Sequence, residues 1–239
     1  MAEFNPLEAT GLVISVRDHL DSYEGTCFAF RQPHVVLTAS HCIPVDASEI
    51  WVDFPMQRAR RVAVDIIPHP SADVSIVVTS RPHDDDGMGY PSGAFWNCVG
   101  NVSLGEEFMA YGFPTEGPYE EAQSPTPRLF VGHYQRFLRF DGLRGSYFAG
   151  EMSIPAPAGL SGGPVFRRGA PPMVTGLVTT NLETYSILDS TEEVDTSGVR
   201  TRCESRQVIR YGLAAILSDV EQWLDEHVPH RLGPAYHPG

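Results

Sequence analysis

VVLTASHC (residues 35–42) reads as a strand of apolar and β-branched residues that breaks into a small turn carrying a histidine. Two further segments share that build. HPSADVSIVV (69–78) places Asp73 at the start of an apolar strand, and PAGLSGGPVF (157–166) places Ser161 in a glycine-rich turn before another. In all three, the chemically able side chain stands at a strand end, where a rigid sheet can aim it.

Outward from these segments the chain is a succession of short strands. LVISV (12–16), CFAF (27–30), IWVDF (50–54) and RVAVDII (61–67) accompany the first two segments. EFMAYGF (107–113), RLFVGHY (128–134), SYFAG (146–150), MVTGLVTT (173–180) and VIRYGLAAI (208–216) accompany the third. Between the two sets lies RPHDDDGMGYPSG (81–93), dense in turn formers and acid. Two sets of about six short strands imply an all-β fold of two six-stranded antiparallel barrels. The expected division is 1–85 for the N-terminal barrel, 86–100 for an interdomain linker and 101–239 for the C-terminal barrel with a final helix. That helix rests on Leu217, Val220, Leu224 and Val228 at helical spacing, with Ser218 and Glu221 as a capping box. Residues 182–207, polar and rich in charge, read as a loop.

Composition narrows the partners. Lys and Arg number 17 against 30 Asp and Glu, so the formal net charge is −13 and no basic cluster offers itself to nucleic acid or an anionic membrane. The apolar runs are strand-sized, well short of the roughly 20 residues of a membrane span. The first residues, MAEFNPLEATGLVISV, lack the basic start and apolar core of a secretion signal, which implies a soluble, cytoplasmic chain. Four cysteines without a CxxC pair suggest no zinc site, and no motif calls for a cofactor or another metal. His83 beside Asp84, Asp85 and Asp86 reads as a solvated linker, and His69 and His133 as turn or surface residues.

Taken singly, each of the three motifs is commonplace. Together, in the order His41, Asp73, Ser161, they supply a complete nucleophilic device. A serine hydroxyl is a poor nucleophile until an imidazole takes its proton, and the imidazole needs a carboxylate to fix its tautomer. The cleft between the barrels is then the expected site.

On these residues the sequence resembles a serine peptidase of the trypsin/chymotrypsin fold, nearest in style to loop-lean bacterial, HtrA-like protease domains. TASHC resembles the family's TAAHC box, GLSGGPVF resembles GDSGGPLV, and VTGLVTTN (174–181) resembles the substrate-binding strand that follows the serine. The resemblance runs over about residues 10 to 228. It implies a catalytic triad of His41, Asp73 and Ser161, and an oxyanion hole from the N–H groups of Gly159 and Ser161. It also implies a substrate surface of Pro155, Val178, Thr179, Thr180 and Asn181, and a possible disulfide between Cys27 and Cys42 beside the histidine. Asp65, nearer to His41 in sequence but inside the RVAVDII strand, competes with Asp73 for the third place. Partners implied are a protein or peptide substrate and a regulatory protein or sensor domain. A catalytically idle binding module on the same fold is the alternative.

Departures from the family shape the expectation. Zymogen-activated members carry Asp before the serine; here that residue is Leu160, so the oxyanion loop must be preshaped or set by a partner. Trypsin-like members have Asp six residues before the serine, where this chain has Pro155. Val178 stands where Glu- or Gln-selective members place a His, and Asn181 stands where a wide pocket has Gly. These residues imply a small, apolar specificity pocket, unless Glu183 or an acid from 189–195 folds over it.

Overall fold

Strand after strand in this chain is apolar at consecutive positions, and the architecture explains why. A computed structural model describes residues 5–80, 95–115, 126–167, 173–194, 197 and 199–228. A short helix, α1 (Pro6–Ala9), opens it, with the Asn5 side chain accepting the Leu7 N–H. Strands β1 (Thr10–Arg17), β2 (Leu20–Phe30), β3 (Gln32–Thr38), β4 (Glu49–Phe54), β5 (Ala59–Pro68) and β6 (Ser75–Thr79) close into one antiparallel barrel in the order β1-β2-β3-β6-β5-β4. Strands β7 (Glu107–Gly112), β8 (Arg128–Gly142), β9 (Gly145–Met152), β10 (Pro164–Arg167), β11 (Met173–Val194) and β12 (Arg200–Ile216) close into a second, ordered β10-β11-β12-β9-β8-β7. The all-β, two-barrel expectation holds, and every strand-like run quoted above lies in or against one of these strands.

Successive side chains alternate between two apolar layers. Cys27, Ala29, Val36 and Val77 join Val13, Ile50, Val52 and Phe54 in one buried cluster. Their sequence neighbours Phe28, Phe30, Leu37 and Ile76 belong to another, with Trp96, Phe166, Val174, Leu177 and Ala215 of the rest of the chain. This second cluster glues the barrels together. Each large side chain in it stabilises the pair by roughly 1.5–3 kcal/mol. Strands covered on both faces read as continuous apolar runs.

Two elements differ from the sequence expectation. The stretches 182–194 and 200–207 are no loop: β11 and β12 run far out of the barrel as a paired ribbon, in register from Gly176↔Ile216 to Val194↔Arg200. Most ribbon side chains from Glu183 outward are exposed, the apolar Tyr185, Ile187, Leu188 and Val208 among them, and the many polar and charged residues between them give the stretch the composition of a loop. The C-terminal helix, α2 (Glu221–His227), is shorter than its periodicity implied, and the capping box does not form. Leu217–Asp219 make a 3₁₀ turn that absorbs Ser218, leaving Val220 at the cap position. Leu217, Val220, Leu224 and Val228 are nevertheless all buried, so the spacing identified the packed face correctly.

Arg31, in the left-handed region at φ 57°, fastens this C-terminal segment to the N-terminal barrel. Its guanidinium is wholly buried, donates to the Val228 carbonyl at 2.7 Å and pairs with Asp225 at 2.6 Å. Most of the expected linker (86–100) lies outside the described residues. Its last part is packed, since Trp96 is fully buried and exchanges backbone bonds with Ala29 and Arg31.

Candidate active site

The β3–β6 pairing, with Thr38 opposite Ser75, carries the end of one motif to the start of another. Beyond β3 the chain makes a 3₁₀ turn, Ser40–Cys42, and the Ser40 hydroxyl meets that of Ser75 at 2.8 Å. Asp73, just before β6, then lies against His41. One carboxylate oxygen accepts the His41 backbone N–H at 3.0 Å; the other lies 2.6 Å from ring Nδ1. The His41 side chain remains 35 % exposed and that of Asp73 17 %. Asp65 takes no part. It is exposed on β5 and accepts the N–H of its neighbour Ile66.

His69, expected to be a turn or surface residue, organises the turn before Asp73. Its Nδ1 accepts the N–H groups of Ser71 at 3.1 Å and Ala72 at 2.8 Å, and its backbone N–H donates to Val74. That pattern places its ring proton on Nε2.

Ser161 comes from the other barrel. Its carbonyl accepts the Thr26 N–H at 2.8 Å and faces the Cys42 sulfur at 3.6 Å, which seats the serine beside the His41 turn. Its hydroxyl donates to the Thr179 carbonyl at 3.0 Å. Gly159 and Gly162 hold φ values of 85° and 83°, a region glycine enters without penalty. A Cβ on Gly162 would overlap the Thr26 carbonyl and the Thr38 hydroxyl.

Charge at the site favours a protonated imidazole. Burial opposes it, but the hydrogen bond that His41 donates to Asp73 and the nearby Cys42 sulfur outweigh burial and push His41 up to about 10 from 6.5. Cys27 and Cys42 are both buried free thiols, so the bridge implied by the family resemblance is not formed. Cys27 packs in the Val13–Val52 cluster, whereas Cys42 belongs to the inter-barrel layer and lies over Gly25.

The expected substrate surface divides. Val178 is buried and exchanges backbone bonds with Gly162 and Gly163, so it braces the serine turn. Thr179, also buried, donates its hydroxyl to Leu213 and accepts from the Tyr147 hydroxyl. Thr180 and Asn181 remain partly exposed. The Asn181 amide spans to one residue of the serine loop, donating to the Ala156 carbonyl at 2.6 Å and accepting the Ala156 N–H at 2.7 Å. Beside this link is a cavity of about 330 Å³ lined by Pro155, Ala156, Pro157, Asn181, Val208 and Arg210. Glu183, the acid considered for the pocket, is paired with Arg210 at 2.8 Å. Tyr23, Thr26, Thr115 and Tyr147 buttress the site without belonging to any of the three motifs. Their signal is pairing across the fold, which a linear sequence does not display.

A family model, the trypsin-like peptidase domain, matches residues 25–170, a span that includes all three motifs. No curated protein matches the chain in sequence. Among solved structures, the active form of the Rv3671c protease of M. tuberculosis is similar with a TM-score of 0.62 at 16% identity, over 92% of this chain and 80% of that one. The MamO protease domain of Magnetospirillum magneticum, in its apo form, gives 0.60 at 13% identity, over 94% and 99% of the two chains. The HtrA-type protease AlgW, solved with a decapeptide, gives 0.59 at 15%, over 92% and 65%. At such identities the likeness is one of fold.

Proposed function

Because the chain belongs to the trypsin-like peptidase domain family, we propose that it is an active serine endopeptidase working through an acyl-enzyme on Ser161. The observation that carries the reading is the Asp73 carboxylate, which grips His41 at both its backbone N–H and its ring Nδ1. That grip leaves Nε2 as the nitrogen able to take a proton.

In the proposed cycle the Ser161 hydroxyl leaves Thr179 and turns to His41. Its oxygen bonds to the scissile carbonyl carbon as its proton passes to Nε2, and the carbonyl electrons move onto oxygen. The N–H groups of Gly159 and Ser161 stabilise that oxyanion. The imidazolium then protonates the leaving amine, the C–N bond breaks, and an ester remains on Ser161. Water, losing a proton to His41, hydrolyses the ester and restores the serine. Substrate backbone pairs with the edge of β11 at Thr180 and Asn181, and the substrate is a protein or peptide.

The resting bond from Ser161 to Thr179 also suits a second reading, a binding module that uses the same cleft without chemistry. A fluorophosphonate probe separates the two. Labelling that disappears in Ser161→Ala supports the peptidase; an unlabelled wild-type chain supports the binding module.

A further inference from the structure

A flexible turn that must aim two N–H groups needs its peptide planes held, and residues 157–163 are held at every carbonyl from 157 to 161. The Pro157 carbonyl accepts the Leu160 N–H, Ala158 that of Thr115, Leu160 that of Gly163 and Ser161 that of Thr26. The Gly159 carbonyl accepts hydroxyls: Tyr23 at 2.8 Å and Thr26 at 2.7 Å. Among the described residues, the N–H groups of Gly159 and Ser161 have no acceptor. In a trans peptide the N–H points opposite to the C=O, so fixing each carbonyl also fixes the N–H behind it. Leu160 is fully buried and apolar, so the turn has no charged anchor of its own at that position.

We propose that Tyr23 and Thr26 of the N-terminal barrel are positioning residues that set the oxyanion-binding backbone of the opposite barrel, an inference that rests on the peptidase reading above. The Tyr23 hydroxyl lies 2.6 Å from the Phe113 carbonyl as well as 2.8 Å from that of Gly159, sharing its single proton between them. The Thr26 hydroxyl donates to Gly159 and accepts the Phe113 N–H at 3.1 Å. Phe113 is thereby tied to Gly159, and two residues later the Thr115 N–H holds the Ala158 carbonyl. The Gly159 N–H shares its peptide unit with that carbonyl. Turning over either peptide unit of Gly159 would strand a carbonyl from its donors. Burial also raises the Tyr23 pKa, so the hydroxyl stays a proton donor at working pH.

The test compares Tyr23→Phe, Thr26→Val and the double variant, with Thr26→Ser as the conservative control. An internally quenched peptide with Ala at P1 reads kcat and KM, and the boronate acetyl-Ala-Ala-Pro-boroAla reads transition-state affinity. Hydrogen exchange reads the 157–163 amides. Complete loss of an oxyanion donor costs about 100- to 1000-fold, and loosening one costs less, so the double variant should lose about 10- to 100-fold in kcat. KM should barely move. Boronate affinity should fall by the same factor as kcat/KM, exchange at Leu160 and Gly163 should quicken, and Thr26→Ser should behave as wild type. Wild-type kcat and exchange in the double variant would overturn the proposal. So would a loss shared equally by substrate and boronate binding, or a Thr26→Ser variant as impaired as Thr26→Val. If wild-type Ser161 resists the fluorophosphonate, the peptidase reading fails on that result alone. Exchange in the single variants then still decides whether the two hydroxyls hold the turn.

Discussion

Asp73 accepts from His41 twice, through one oxygen from the backbone N–H and through the other at ring Nδ1, at 3.0 and 2.6 Å. A carboxamide has one acceptor oxygen and cannot serve both. Asp73→Asn should therefore lower kcat by about 10⁴-fold, because the imidazole is held in the wrong tautomer or released. Asp65→Asn should leave kcat within about two-fold, in line with ordinary exposed substitutions. Steady-state kinetics on both variants, with thermal melts to verify folding, decide the matter. A dead Asp65→Asn enzyme would move the third triad position.

A His41 pKa raised to about 10 has two pH consequences. The general base must be neutral, so kcat/KM should climb with pH through a limb lying above the usual 6.5, and Asp73→Asn should bring that limb down. For stability the sign is fixed by linkage. The folded value exceeds the unfolded one, so the stabilisation is complete below 6.5 and is lost as pH rises from there through about 10. Urea midpoints at pH 6 and pH 10, compared between wild type and His41→Gln, isolate this contribution. A kcat/KM limb at or below 6.5 would contradict it.

Asn181 bridges β11 to Ala156 through both amide atoms, and the adjoining cavity presents a guanidinium from Arg210. Cleavage should therefore follow small residues such as Ala, with Lys and Arg disfavoured at P1 because Glu183 is already paired with Arg210 and does not offset their desolvation. Asn181→Gly should raise kcat/KM for Leu or Phe relative to Ala by about 10-fold, the scale of a pocket enlarged by a methylene or two. A positional scanning library gives both answers. Dominant cleavage after Arg would sink this reading of the pocket.

Gly162 is the position least able to accept a side chain, since its φ is 83° and a Cβ would strike the Thr26 carbonyl. Gly162→Ala should cost about 3 kcal/mol or more, from backbone strain and overpacking together. Urea unfolding measures it. Gly105, at φ 75° with open space around it, is the control and should lose only about 1 kcal/mol when made Ala.

Arg31 is fully buried while its partner Asp225 is half exposed. Removing the carboxylate strands a charge in the interior, whereas removing the guanidinium leaves an acid that water can reach. Asp225→Ala should thus cost about 2–4 kcal/mol and exceed Arg31→Met, which keeps the volume without the charge. Denaturation of both variants at one pH tests the order, and the reverse order would refute the assignment.

The barrels were legible because apolar strands bounded by Gly, Pro and Asp leave a local trace, and so were His41, Asp73 and Ser161 as neighbours of recognisable strand ends. The ribbon was not. Its strands are held by pairing with each other, and Thr184, Ser186 and Thr191 are exposed like the apolar Tyr185, Ile187 and Val208, so no periodic burial marks them. The Ser218–Glu221 box failed for a different reason: a local capping preference yielded to a 3₁₀ turn that seats Leu217 in the core. The contacts of Tyr23 and Thr26 with Gly159 join residues 136 and 133 positions apart, and no linear pattern encodes such a meeting.

The buried Arg31 waits for a carbonyl 197 residues further along the chain. During synthesis, the ribosome will have delivered His41, Asp73 and Ser161 long before it delivers Val228. Until then the apolar layer between the barrels lacks the strip contributed by Leu217, Val220 and Leu224, and contacts of such long sequence separation form late and slowly. The seam between the two barrels of a nascent chain is therefore incomplete until α2 has been made and its apolar face can be laid into that layer.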